Sequence, residues 1–264
     1  MDERARFRLT ETGSLLVSRP QGSMASVSIF AGEEPYRAWG DLLHCLRTGE
    51  TAFDYAFGMG HFEYLAQHPE AAATFNRLMA WSVGVAGEPL EGYDLARHKL
   101  LVDVGGGKGA LIASTLRAYP HLRGILFDQA SAVVEALAVL QSSGVADRCE
   151  IVTGSAFSAV PPGGDVYVMS RVLHDWADDK ALLLLANCRK AMSKGGVLLL
   201  VEGVLVEGVA SPSRLWLDLV MMVMTGGRER TKEEWHALLG KAGFSLTAVR
   251  PSRPNQDLIE ALAI

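Results

Sequence analysis

The sequence predicts an α/β domain built on a mostly parallel sheet, and three observations support this fold class. From residue 99 onward, short runs of Val, Ile and Leu alternate with helix-length amphipathic segments. These runs are apolar throughout, which is typical of parallel strands that are covered on both faces. Four glycines follow the first run and precede a helical segment, an arrangement typical of a ligand-binding turn between strand and helix.

The individual elements follow from this alternation. The strand-like runs are KLLVDV, GILFD, CEIVTG, DVYVMS and VLLLVEGVLV, and the helical patterns are GALIASTLRAY, ASAVVEALAVLQSSG, DDKALLLLANCRKAMSKGG and KEEWHALLGKAG. The end of the chain differs, because FSLTAVR and DLIEALAI are strand-like and are joined by a Pro-rich connection. We therefore expect a seven-stranded sheet whose last two strands form a hairpin, with the last strand antiparallel at the edge.

Before residue 96 the pattern is mainly helical. The segments EPYRAWGDLLHCLRTG and PEAAATFNRLMAWSVGVAG carry apolar residues at a spacing of three to four, as one buried helix face requires. The first two dozen residues resemble a fragment of strand, turn and helix. The chain is thus divided into 1–25, a helical segment 26–95 and an α/β domain 96–264.

Composition excludes several classes of function. The net charge is −5 and Lys and Arg form no cluster, which argues against nucleic acid or a membrane surface as a partner. Three scattered cysteines, Cys45, Cys149 and Cys188, predict neither a disulfide framework nor a metal site. The segment MDERARFRLT lacks the apolar core of a signal peptide, so we expect a protein of the reducing cytoplasm.

The glycine loop predicts an adenosine-containing ligand. In LVDVGGGKG, Gly105 and Gly107 permit a tight turn and a close approach of the ligand to the following helix. Asp128 ends the next strand-like run, where a carboxylate can accept hydrogen bonds from both ribose hydroxyls. The loop fits the G-x-G-x-x-G/A pattern of NAD sites and also the acidic-x-G-x-G-x-G pattern of S-adenosylmethionine (SAM) sites, with Asp103 as the acid. It does not decide between them.

The segment SRVLHDWADDK places a candidate catalytic residue at the same end of the sheet. His174 follows the fourth strand-like run, and ligands of open α/β sheets bind at the carboxyl ends of the strands. An imidazole there can act as a general base, although a histidine at the start of a helix can also lack a role. Asp175 is expected to cap the following helix, and Trp176 is expected to pack.

The motifs LVDVGGGKG, FDQ, SRVLHDWADDK, LLLVEGVLVEG and LDLVMMVMTGGRERTKEEWHALLGKAGF occur in this order. Together they resemble the SAM-dependent small-molecule O-methyltransferases of the plant phenolic and bacterial polyketide type. The resemblance covers nearly the whole chain, and the combination of LHDW with GGRERT is more specific than the glycines. It implies a Rossmann-like class I methyltransferase fold, SAM as cofactor and methylation of a hydroxyl on a phenolic or polyketide-like small molecule.

The resemblance also implies catalytic roles. His174 corresponds to the general base, and Glu202 and Glu229 correspond to two flanking carboxylates. The chemistry agrees, because a phenol is only about 0.1% ionised at neutral pH and a positioned base gives about 10²–10⁴-fold in rate. Two alternatives remain: Glu202 in a salt bridge at the end of a strand, and Glu229 in a surface ion pair with Arg228 or Arg230.

Two further sets of residues follow from the same likeness. The predicted cofactor-binding residues are Asp103, Gly105, Gly107, Asp128, Gln129, Ser155, Ala156, Phe157, Ser170 and Arg171. Ser155 stands where the family usually has Asp, and Arg171 is the nearest basic substitute for a position that is Ser170 here. The predicted acceptor-binding residues are Met79, Met221, Met222 and Met224, which could instead be core, with Phe62 and Trp81 as further candidates.

The resemblance implies that residues 1–25 are the remnant of a winged-helix dimerisation domain and that 26–95 bind substrate. Family members form homodimers through that domain, so dimerisation of this chain stays an open prediction. Three other hypotheses are decarboxylation or hydroxylation with SAM, an NAD-dependent oxidoreductase, and a truncated, inactive relic. The identity of the aromatic acceptor depends on the shape of its pocket and is not predicted.

Overall fold

The computed structural model describes residues 7–17, 24–86, 90, 92–193, 195–206, 208, 211–253 and 255–264. Its N-terminal part is helical, as the periodicity predicts. The helices are α1 (Glu11–Leu15), α2 (Ala25–Gly32), α3 (Glu34–Gly40), α4 (Leu42–Thr48), α5 (Ala52–Phe57), α6 (His61–Gln67) and α7 (Pro69–Ala86). Part of the predicted remnant, residues 1–6 and 18–23, lies outside the described residues.

The remaining elements alternate between strand and helix. They are β1 (Leu100–Val104), α8 (Ala110–Ala118), β2 (Arg123–Asp128), α9 (Ala136–Ser142), β3 (Cys149–Thr153), β4 (Val166–Ser170), α10 (Asp178–Ala191), β5 (Val197–Glu202), β6 (Val204–Leu205), α11 (Pro212–Met224), β7 (Arg230–Thr231), α12 (Lys232–Lys241), β8 (Phe244–Arg253) and β9 (Gln256–Ala263). Short 3-10 helices occupy Ala146–Arg148 and Leu173–Asp175.

The main sheet has seven strands in the order β3-β2-β1-β4-β5-β9-β8. Strands β1 to β5 pair in parallel, whereas β9 is antiparallel to both β5 and β8. The mostly parallel sheet, the hairpin and the antiparallel last strand are therefore confirmed. The edge strand is β8 rather than β9, and β8 contains Pro251, which has no N–H to donate and is best accommodated at an edge.

Helices cover both faces of this sheet. Helices α8 and α9 pack on one face through residues such as Ile112, Leu116 and Leu140. Helices α10 and α12 pack on the other face through residues such as Leu185 and Trp235. Both faces of β5 are consequently buried along its whole length, which explains why its sequence is continuously apolar.

A third, smaller core connects the helical part to the α/β part. It joins α3, α4 and α5 to α11, and its buried members are Ala38, Cys45, Ala52, Phe53, Val223 and Met224. Within the described residues, no helix has the length and apolar character needed to cross a membrane.

The register of the parallel strands determines where the site lies. Val104 pairs with Phe127, and Phe127 pairs with Val152, so β1, β2 and β3 end at the same edge of the sheet. Strand β4 pairs with β1 in the same direction. The loops that follow these strands therefore lie side by side, and the helical part packs close to them.

Candidate active site

A cavity of about 340 Å³ opens at this edge of the sheet. Its wall is formed by the loops after β1, β2, β3 and β4 and by residues of α6, α7 and α11. The cavity brings together all ten predicted cofactor residues: Asp103, Gly105, Gly107, Asp128, Gln129, Ser155, Ala156, Phe157, Ser170 and Arg171. His174, the predicted base, lines the same cavity.

The glycine loop needs glycine for steric reasons. Gly105 has φ 76°, a left-handed conformation, and a Cβ there would lie 2.7 Å from Val172 Cγ2. The backbone N–H of Gly107 donates to Asp128 Oδ2 at 2.8 Å, and the N–H of Gln129 donates to Asp128 Oδ1 at 2.6 Å. These two donors hold the Asp128 carboxylate at the cavity wall, although burial raises its pKa.

Asp103 is a buried carboxylate without a partner. It is 1% exposed, and neither carboxylate oxygen makes a hydrogen bond of normal geometry within the described part of the chain. Burial and, secondly, repulsion from Asp128 raise the pKa of Asp103 to about 7, while the backbone N–H of Ile112 acts in the opposite direction. Burying a carboxylate without a hydrogen-bond partner costs free energy. This position is therefore suited to a ligand that carries hydrogen-bond donors.

His174 lies in the 3-10 turn that follows β4 and is only 3% exposed. Its Nδ1 is 2.7 Å from Glu229 Oε1. Glu202 Oε2 is 3.9 Å from the same nitrogen, and Asp175 Oδ1 is 3.8 Å from Nε2. The structure thus places both predicted carboxylates beside the imidazole. Glu229 is 2% exposed, so the alternative of a surface ion pair is wrong; Arg228 pairs with Glu234 instead.

Glu202 and Glu229 contact the turn that carries His174 in different ways. Glu229 bonds the imidazole directly, whereas Glu202 Oε1 accepts from the backbone N–H groups of Val172 and Leu173 at 3.1 and 2.9 Å. Glu202 therefore positions the turn that carries the histidine. Burial raises the pKa of Glu202 to about 7, with attraction from His174 opposing and repulsion from Glu229 assisting.

These carboxylates favour the protonated form of His174. Burial alone would lower its pKa, but attraction from Glu202, Asp175 and Glu229 outweighs burial and raises the pKa to about 9. In the neutral ring, the bond to Glu229 keeps the remaining proton on Nδ1. Nε2 is then the nitrogen that can accept a proton.

Two features that the sequence reasoning missed hold the turn in place. A Cβ on Gly227 would lie 1.9 Å from the carbonyl oxygen of His174, so only glycine permits this approach. Arg230 is 1% exposed and donates to the carbonyl oxygens of Leu173 and Trp176 and to Asp178. The available signal was that both residues belong to the GGRERT motif, from which Arg230 was considered only as a possible ion-pair partner of Glu229.

The predicted acceptor residues separate into two groups. Met79 and Met221 line the cavity, together with Phe62, Phe75 and Asn76. Met222 and Met224 pack in the third core instead, so their prediction as acceptor residues is not supported by their positions. The side chain of Trp81 lies outside the described residues.

Asp175 differs from expectation, whereas Trp176 packs as predicted. The N-cap of α10 is Ala177, without a side-chain hydrogen bond, so the prediction that Asp175 caps this helix is wrong. A 3-10 turn precedes the helix and leaves Asp175 at the cavity wall. Trp176 packs edge-to-face on Phe157 at 4.8 Å and also lines the cavity.

The parallel sheet, the glycine turn and the carboxylate-bound histidine in one cavity define the class of Rossmann-like enzymes that bind an adenosine-containing ligand. Residues 39–245 match the family model described as an O-methyltransferase domain. The chain belongs to this family.

The family relationship is supported over almost the whole chain. The chain is 44% identical to a phenazine O-methyltransferase of Lysobacter antibioticus over 98% of this chain and 76% of that protein. It is 40% identical to a 3-amino-4-hydroxybenzoate 4-O-methyltransferase of Streptomyces cremeus over 94% of this chain and 68% of that protein. An O-methyltransferase from neocarzinostatin biosynthesis, solved with SAM and 2-hydroxy-5-methyl naphthoic acid, superposes with a TM-score of 0.86 at 31% identity, covering 100% of this chain and 80% of that one.

Proposed function

We propose that the protein transfers a methyl group from SAM to a hydroxyl of a phenolic or polyketide-like aromatic molecule, with His174 as general base. One observation carries the proposal: the imidazole, held through Nδ1 by Glu229, lines the same cavity as the glycine loop and Asp128. The base and the cofactor site are therefore close enough to act on one acceptor.

The residues present fit SAM. Asp128, oriented by two backbone donors, can accept the ribose hydroxyls. The unpartnered oxygens of Asp103 are suited to the ammonium group of the methionine part. Ala156 and Phe157 would flank the adenine, and Ser155 offers a hydroxyl where the family usually has a carboxylate. When bound, SAM supplies a methyl group made electrophilic by its sulfonium.

The environment of His174 is matched to proton transfer from a phenol. A phenol has a pKa of about 10, and the pKa of His174 is raised to about 9. Only the neutral imidazole can accept this proton, so the fraction of His174 that can act as a general base increases as the pH rises towards 9. The N–H at Nδ1 of His174 donates to Glu229 throughout, Nε2 takes the proton of the acceptor hydroxyl, and the surrounding carboxylates stabilise the imidazolium that forms.

The part of the cavity wall formed by α6, α7 and α11 is suited to an aromatic acceptor. Phe62, Phe75, Met79 and Met221 offer aromatic and thioether surfaces, which contact rings favourably. The relatives named above act on or bind a phenazine, an aminohydroxybenzoate and a hydroxynaphthoic acid, and these support an aromatic acceptor here. In this proposal, residues 26–95 provide the acceptor wall and residues 96–264 bind the cofactor.

The test combines labelled SAM and a panel of phenols with His174→Ala. We expect kcat to fall by about 10²–10⁴-fold while calorimetry finds the affinity for SAM unchanged, because the substitution leaves the glycine loop intact. His236→Ala, an exposed histidine on α12, is the matched control and should retain full activity. Full activity of His174→Ala would remove this residue from the mechanism. Binding of NADH in place of SAM would overturn the proposed cofactor.

A further inference from the structure

Asp218 is the one acidic residue of α11, a helix that is otherwise mostly apolar. Its Oδ1 accepts from the backbone N–H of Glu229 at 2.8 Å. The side chain of Glu229 in turn bonds Nδ1 of His174 at 2.7 Å. Asp218 does not itself line the cavity, so any influence on the proposed general base passes through Glu229.

The backbone N–H of Glu229 needs this acceptor. Glu229 is 2% exposed, and a buried N–H without a partner costs free energy. The preceding N–H, that of Arg228, donates to the carbonyl oxygen of His174 at 2.9 Å, and Arg230 begins β7. Between these two contacts the N–H of Glu229 is directed at α11. Asp218 thus fixes the peptide group from which the Glu229 side chain projects.

The carboxylate of Glu229 tolerates little displacement. A Cβ on Gly203 would clash with Glu229 Oε2, so this oxygen packs closely on the backbone that follows β5. The other oxygen bonds the imidazole of His174, and such a bond weakens steeply when its distance and angle depart from the ideal. A small shift of the Glu229 backbone would therefore weaken the bond that orients the ring.

The helix that carries Asp218 also belongs to the acceptor wall. Met221, three residues further along α11, lines the cavity. The same helix packs on α3, α4 and α5 in the third core, and its Trp216 stacks on Trp39 with the ring centroids 4.8 Å apart. Asp218 therefore connects a helix held by the acceptor side of the molecule to the residue that holds His174.

We infer that Asp218 is a positioning residue for the methyl transfer: it keeps Glu229 in line with Nδ1 of His174 and so ties the orientation of the general base to the helix of the acceptor wall. This inference rests on the proposed function. Asp218 contacts no reacting atom in this account, and its effect is exerted through the hydrogen bond to the Glu229 backbone.

The first measurement compares the kinetics of Asp218→Ala and Asp218→Asn. The alanine variant has no acceptor for the N–H of Glu229, and kcat should fall about 10-fold while the KM for a phenolic acceptor changes less than about 3-fold. The asparagine variant retains a carbonyl oxygen and should retain most of kcat. Asp218→Leu keeps the volume of the side chain without an acceptor, and should match Asp218→Ala if the smaller residue prevents folding. Glu233→Ala removes an exposed carboxylate from α12 and is the matched control, with kcat of the wild type.

The second measurement follows the imidazole of His174 by ¹⁵N NMR in the free protein. The charges that raise the pKa of His174 to about 9 are those of Glu202, Asp175 and Glu229, so loss of the Asp218 charge should not by itself move the titration. In Asp218→Ala the loosened Glu229 should stabilise the imidazolium less, and the midpoint should move to lower pH. Asp218→Asn should titrate as the wild type.

Three results would overturn the inference. They are an unchanged kcat and midpoint in both Asp218→Ala and Asp218→Leu, a raised KM for the acceptor with kcat retained, and equal losses of kcat in Asp218→Asn and Asp218→Ala. The second result would give Asp218 a purely structural role in α11, and the third would assign the effect to its charge. Failure of the proposed function is distinct, because the wild-type protein would then methylate no phenol while the titration of His174 in each variant remains measurable.

Discussion

The two ends of the cavity are built in different ways. The cofactor end consists of backbone turns after parallel strands, where glycines permit close contacts and backbone N–H groups orient Asp128. The acceptor end consists of side chains on α6, α7 and α11, whose positions depend on helix packing. From this comparison we expect the affinity for the cofactor to depend on the sheet and the choice of acceptor to depend on the packing of these helices. Substitutions should affect the two properties independently.

The largest loss of SAM affinity and stability is expected from Gly105→Ala at the cofactor end. The new methyl group would face Val172 at 2.7 Å in a left-handed backbone, and strain plus overpacking should cost about 2–5 kcal/mol. We expect SAM affinity to fall at least about 100-fold, as measured by calorimetry together with denaturant unfolding. Gly144→Ala is the control, since it has φ 70° with open space around it. Equal losses of SAM affinity in Gly105→Ala and Gly144→Ala would contradict a role for the contact with Val172.

A smaller loss of activity is expected from substitutions of Glu229 and Glu202, which lie where the two ends of the cavity meet. Glu229→Gln replaces the carboxylate on His174 Nδ1 and should lower kcat about 10²-fold or more, because an amide in place of an orienting carboxylate can cost about 10⁴-fold. Glu202→Gln retains an oxygen for the N–H groups of Val172 and Leu173 and should cost less than about 10-fold.

These two variants also predict a shift with pH. In the proposed mechanism His174 acts as a base in its neutral form, so activity should rise with pH towards the pKa of about 9 that this residue has in the free protein. Loss of either negative charge lowers the pKa of His174, and the rising limb of kcat/KM should therefore move to lower pH. Imidazole titration by ¹⁵N NMR provides an independent measurement. A shift to higher pH in either variant would refute the electrostatic account.

The smallest effect on turnover is expected at the acceptor end, from two methionines on α11. Met221→Ala enlarges the cavity and should raise the KM for the acceptor about 10-fold without changing SAM affinity. Met224→Ala leaves a void in the third core and should destabilise the protein by about 2–4 kcal/mol, with the KM for the acceptor unchanged. If Met224→Ala changed acceptor selectivity as much as Met221→Ala, the separation of the two ends would be wrong.

The cofactor end could be predicted from sequence because its residues are local to strand ends. Gly105, Asp128 and Ser155 each follow a recognisable apolar run, and parallel pairing brings such ends together. The contact between His174 and Glu229 spans 55 residues and was predicted only through the family likeness. Asp175 was assigned to a cap because the pattern did not reveal the 3-10 turn that separates it from α10.

The acceptor end was less predictable, since periodicity identifies apolar positions on a helix but not what each one faces. Met221 and Met222 are adjacent in the sequence, yet only Met221 lines the cavity. The rotation of α11 is determined by its packing on α3, α4 and α5, which are distant in the sequence. The anchoring of the His174 turn by Arg230 was missed for the same reason, because the partners of Arg230 precede it by more than fifty residues.

That anchoring has a consequence for protein synthesis. A nascent chain that has emerged as far as residue 227 already contains the five parallel strands and the glycine loop. It still lacks the guanidinium of Arg230 that holds the turn around His174 and the carboxylate of Glu229 that orients the ring. In the proposed mechanism, translation therefore completes the methyl-donor pocket before it completes the general base, and a chain stalled on the ribosome between these points should not yet catalyse methyl transfer.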